Sequence, residues 1–157
     1  MRMLEVNLVA DILIAMLEGI KSKKQVKKFY DSYEVQFDHS PEALETKFDQ
    51  VISAIFALYP EGLSDTEFKR PHLFYSLFTA VAHWKFGIPG IEQISWEPNT
   101  SPDTVRNKLE RIESVFAETD LSKLSKEEQV FLSDSRRATT DEKVRVRRTK
   151  FLLHLMH

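Results

Sequence analysis

The residues with the most evident chemistry lie near the C-terminus. Arg136, Arg137, Arg145, Arg147, Arg148 and Lys150 fall within fifteen residues. A guanidinium grips a phosphate through two parallel hydrogen bonds, so such a cluster suits contacts to a nucleic-acid backbone. From Arg136 to Lys150 there are seven Lys or Arg against two acids, an excess of five positive charges. The whole chain has a net charge of −2, which leaves −7 on the remainder. The simpler reading is a solvated basic helix face, with some arginines paired to that acidic surplus. Backbone binding to nucleic acid by these six residues is the alternative.

Other chemistries lack parts. There is no cysteine, which removes disulfides, thiolate metal sites and thiol nucleophiles, and fits a reducing cytoplasm. Neither a Gly-x-Ser-x-Gly elbow nor a glycine-rich phosphate loop occurs. His154 and His157 have a spacing that metal ligands use, but no third ligand stands at a matching interval and chain ends fray. His72 and His83 are eleven apart in an apolar stretch, and the plainer reading makes them a polar rim residue and a hydrogen-bonded near-core residue. No catalytic residue, metal or cofactor is therefore expected. A free-standing enzyme with an unrecognised site is the least favoured of the readings.

These residues must be positioned by helices, because strand-like alternation is nearly absent and turn signals are spaced for helices. The expected architecture is all-α, about seven helices in one domain spanning residues 1–157. The first runs from about Met3 to Glu18 and stops at Gly19. Its apolar residues cover most of the circumference, so it must be buried or covered by a partner. Glu5 and Asp11 interrupt it, and the longest apolar run, Ile12 to Leu17, is too short for a membrane span or a secretory signal.

The second helix, about Ser22 to Phe37, carries Val26, Phe29, Tyr30, Tyr33 and Phe37 as one stripe. It starts among five lysines (21, 23, 24, 27 and 28), the end where the helix dipole prefers anions. The third opens at Ser40–Pro41 and reaches about Tyr59. The fourth, from about Arg70 to Gly87, is the most aromatic stretch and is expected at the centre of the core. A Pro-rich loop then carries Trp96, read as an anchor onto the body. The fifth helix is expected from Pro102 to Glu118. A sixth begins at a Ser125–Glu128 capping box, and a seventh at a Thr139–Glu142 box. In the seventh, Val144, Phe151, Leu152 and Leu155 form the buried face, which puts the arginines on the outer side.

The first four helices also resemble a known pattern. "VADILIAMLEGI", the lysine-rich turn into "FYDSYE", Phe37, and "FKRPHLFYSLFTAV" match the helical region of the GmrSD-like restriction and phage-defence family. The matching positions are Leu13, Met16, Gly19, Phe29, Tyr30, Tyr33, Phe37, Arg70, Phe74, Tyr75, Leu77 and Phe78. The "RRATTDEKVRVRRTKFL" end is similar to that family's closing helix. Family members begin with a ParB/sulfiredoxin-like domain bearing an Asp-Gly-Gln-Gln-Arg motif, which is absent from these 157 residues. The resemblance therefore implies a non-catalytic helical part. Its work would be protein or interdomain contacts, with an adjacent catalytic domain, a protein partner, a second copy of the chain or DNA as its partner, and no membrane.

Overall fold

The computed structural model describes residues 3–137 and 140–157, with side chains from Asn7 onward. Among these there are eight α-helices and two short 3-10 turns, with no strand. The helices are α1 (Met3–Glu18), α2 (Lys23–Val35), α3 (Pro41–Leu58), α4 (Pro71–Phe86), α5 (Pro102–Leu109), α6 (Arg111–Ala117), α7 (Lys126–Arg137) and α8 (Glu142–Met156). The all-α expectation holds.

Local chemistry sets most of the boundaries. Ser40 and Ser101 accept from Ala43 and Thr104 N–H groups at 3.2 Å, each just before a proline that needs no donor partner. Ser125 and Glu128 form their reciprocal box at 2.9 and 3.1 Å. A box not anticipated, Ser22 with Gln25, starts α2. The start of α8 differs from expectation. Thr139 lies outside the described residues, and Asp141 is the cap, accepting from Lys143 N–H at 2.9 Å. A carboxylate both accepts these donors and favours the positive helix end, where a hydroxyl does only the first.

The expected fifth helix is two. Glu110 separates α5 from α6, and no proline or glycine causes the break. Val105 and Leu109 belong to the main core, where α5 packs on α3 and α8, whereas Val115 joins a smaller core with Leu124 and Leu132 of the α7 region. Ile112 of α6 also belongs to the main core, so α6 bridges the two, and the break falls within a periodicity that runs through unbroken.

Helix α4 is the central element. It is buried from Tyr75 to His83 and packs on α8, α3 and α1. Against α8 the contact includes a polar joint, Thr79 Oγ1 to Thr149 Oγ1 at 2.8 Å. Phe86 departs from the expected aromatic core: it is exposed, under the Lys47 ammonium. Trp96 does anchor its loop, against Trp84 and the ring of His157. The chain end is held in place, because His157 Nε2 bonds the Ser95 carbonyl at 2.8 Å and Met156 is buried.

Helix α2 packs chiefly on α1. The 19–22 linker doubles back along α1, which brings the Lys21 carbonyl and Asp11 to the same guanidinium. Gly19 makes that path feasible. It has φ +94°, and a Cβ there would stand 2.5 Å from the Pro89 carbonyl oxygen.

Candidate functional site

The arginine cluster divides. Arg145 and Arg148 are only 4% and 1% exposed, which corrects the outer-face expectation for both. The buried line of α8 is Arg145, Arg148, Thr149, Leu152, Leu153 and Met156. This is ordinary helical spacing, but its first two places hold arginines, so an apolar reading of the helix misses them. Val144, Phe151 and Leu155 are only half-buried.

Each buried guanidinium has a structural role. Arg145 grips Asp11 through two 2.8 Å bonds, donates a third to the Lys21 carbonyl, and lies 4.3 Å over the Tyr75 ring. Burial pushes the Tyr75 hydroxyl well above its ordinary range, against the opposing pull of Arg145. Arg148 donates to the Asp134 carbonyl at 3.1 Å, and His72 Nε2 donates to the next one, Ser135, at 2.6 Å. These carbonyls lie in the last turn of α7, where the helix leaves acceptors unpaired and its dipole favours cations. Burial, then the neighbouring Arg145, pulls Arg148 below the ordinary guanidinium range. Together these contacts clasp α1, α7 and α8 around α4.

The other four candidates are exposed. Arg147 forks onto the Asp134 carboxylate at 2.9 and 3.0 Å, which holds its charge on more firmly. Arg136, Arg137 and Lys150 face solvent. Lys150 lines a furrow of about 740 Å³ between α7 and α8, whereas Lys23 and Lys27 line a different recess beside α1. The two basic groups thus lie on separate surfaces. The acids that complete the clasp are Asp11 and Asp134, neither of which stands near its arginine in a pattern the sequence displays. The signal for Asp11 was available: a lone carboxylate amid apolar residues requires a buried cation.

His72, His83 and His157 bond within the fold, while His39 and His154 are exposed, His39 resting against the Tyr33 and Phe37 rings. His83 accepts from Ile88 N–H at 2.8 Å and donates to the Glu92 carbonyl at 2.9 Å, fixing the loop after α4. No group of three or more potential metal ligands occurs among the described residues.

The surface holds a second feature. Between α1 and α2 an apolar groove of about 380 Å³ is lined by Val9, Leu13, Leu17, Tyr30, Tyr33, Phe37 and Leu44. Val9 is 39% and Tyr30 49% exposed, so the broad apolar face of α1 is left partly uncovered. Tyr33 closes the floor by donating its hydroxyl to Glu18; burial and that carboxylate push it up to about 12. Past Leu17 and Leu44 the groove meets a recess of about 160 Å³ that ends at Lys47 and Phe86. At the opposite end it shares Ala10 and Tyr30 with a recess bordered by Lys23, Lys27, Asp11 and Asp31.

The α7–α8 furrow is larger, but its lining mixes both signs of charge and two of its acids are already matched. Arg111 holds Glu128 at 2.7 Å, and Asp134 holds Arg147. The α1–α2 groove has almost no polar lining and remains open.

No family model matches the chain, and neither the curated proteins nor the solved structures include a significant match to it. No helix among the described residues is long and apolar enough to cross a membrane.

Proposed function

We propose that this chain is a non-catalytic helical interaction domain that receives a protein segment in the groove between α1 and α2. One observation carries the reading: a continuous apolar trough, walled by two helices and uncovered along Val9 and Tyr30. Contiguous exposed apolar surface is costly in water and commonly marks an interaction site. A trough between helices suits an amphipathic helix laid lengthwise, read through side chains at i, i+3, i+4 and i+7. The reading agrees with the resemblance to the helical region of GmrSD-like restriction and phage-defence proteins. There, such a domain would serve a catalytic neighbour or a second subunit. Backbone binding to nucleic acid has weaker support, since two of its six basic residues are buried in the clasp and a third is paired.

The test is a displayed library of helical peptides selected on the immobilised chain. Selected peptides should share an apolar stripe. They should lose binding to Val9→Glu and Tyr30→Glu, and keep it to Phe56→Glu, a 60% exposed aromatic outside the groove. Binding insensitive to both groove changes, or equally sensitive to Phe56→Glu, would remove the groove from the proposal.

A further inference from the structure

Five lysines, Lys21, Lys23, Lys24, Lys27 and Lys28, crowd the start of α2, and no acid stands in its first turn. This is the positive pole of the helix, where cations are disfavoured. No ion pair among the described residues engages any of the five. The two acids of α2, Asp31 and Glu34, come later in the helix. Positive charge therefore outweighs negative at one end of the trough, where Lys23 and Lys27, with Asp31 beside them, border the recess that adjoins the apolar floor. Lys47 adds a cation at the other end, beside Phe86. No ion pair among the described residues compensates these lysines, and they flank the apolar groove between α1 and α2.

From this we infer that the occupant of the groove is an acidic amphipathic helix of a partner protein. Its apolar stripe lies on Leu13, Leu17 and Tyr30, and its carboxylates meet Lys23 and Lys27. Such carboxylates would compensate the lysines and oppose the dipole of α2 favourably. The segment of α1 from Val9 to Leu17 is about 12 Å long at 1.5 Å per residue, so three to four turns of partner helix would fill the trough and reach the lysines. A second copy of the chain, or an anionic membrane surface, is the competing occupant.

The inference rests on the groove reading above, and its test separates the two. Three fluorescein-labelled helical peptides of about 18 residues would share one leucine stripe and differ only in polar positions: all Glu, all Gln or all Lys. Titrated into the full chain at low salt, the Glu peptide should bind about tenfold more tightly than the Gln peptide, the sum of two ordinary exposed charge pairs. The Lys peptide should bind most weakly, and added salt should erase the differences. Lys23→Glu with Lys27→Glu, both exposed and unpaired, should reverse the order, while Val9→Glu should weaken all three. Equal binding of the Glu and Gln peptides, or an order unchanged by the lysine reversals, would overturn the acidic partner and leave the groove standing. No peptide binding, with a dimer that Val9→Glu breaks, would assign the groove to a second copy. Binding only to phosphatidylserine vesicles would assign it to lipid. No binding by a monomer in any arm would overturn both the inference and the groove reading.

Discussion

Asp11→Asn tests whether the C-terminal arginines are structural. Asparagine keeps the shape of the side chain and one acceptor but removes the charge. In the native protein both Arg145 terminal nitrogens sit 2.8 Å from the Asp11 carboxylate oxygens, and both residues are almost fully buried. Removing one partner of a buried ion pair costs about 3–5 kcal/mol, because the other charge is left without compensation. Here Arg145 would keep the Lys21 carbonyl and the Tyr75 ring, which places the loss near the low end, about 3 kcal/mol. A domain is stable by only about 5–15 kcal/mol, so the effect is large. With a urea slope of about 2 kcal/mol per molar, the unfolding midpoint should fall by about 1.5 M.

The double replacement Asp11→Leu with Arg145→Met should recover much of that loss, since an apolar pair of similar volume needs no desolvation of charge. The assay is urea denaturation of wild type, both single variants of this pair and the double variant, read as a double-mutant cycle. A coupling of at least about 2 kcal/mol is expected. A loss below about 1 kcal/mol for Asp11→Asn, or additive single changes, would refute the clasp and return Arg145 to the surface reading.

Three further outcomes follow from the same contacts. Arg148→Ala, at a buried position capping α7, should lower the melting temperature by about 10 °C, whereas Arg147→Ala, half exposed, should lower it by less than about 3 °C; calorimetry would separate them. Gly62→Ala meets no neighbour and should cost about 1–2 kcal/mol of backbone strain at φ +89°, while Gly19→Ala, whose Cβ would meet the Pro89 carbonyl, should cost about 2 kcal/mol more in denaturant titration. Burial holds His72 below its ordinary value of 6.5; Arg148 and Arg70 add to the lowering, and the Ser135 carbonyl opposes it. The unfolded chain then takes up the proton first, so stability present above the unfolded value is lost as pH falls through it toward the folded one. His72→Gln should flatten that loss in unfolding curves recorded between about pH 7 and pH 5.

What could be read in the residues, and what could not, divides along a physical line. Serine caps before prolines, the Ser125–Glu128 box and the aromatic density of α4 act locally, so they are visible in the chain and mark real elements. The break at Glu110 has no local cause; beyond it α6 keeps Ile112 in the main core and brings Val115 to the smaller one. Arg145 and Arg148 depart from the outer-face expectation for a related reason, while Arg136, Arg137, Arg147 and Lys150 follow it. Taking charge as a sign of exposure holds for a residue alone, and fails when a carboxylate 134 positions away is brought to it by the fold. Asp11 was the missing half, since it stands in an apolar helix where an unpaired carboxylate would be very costly. The lysines of α2 pose the same problem with the opposite answer. They too are an excess of one charge, yet no internal acid meets them among the described residues, and they border the open groove. Charge that the fold has already compensated holds the molecule together. Charge left uncompensated beside exposed apolar surface is where a partner's carboxylates would be recognised.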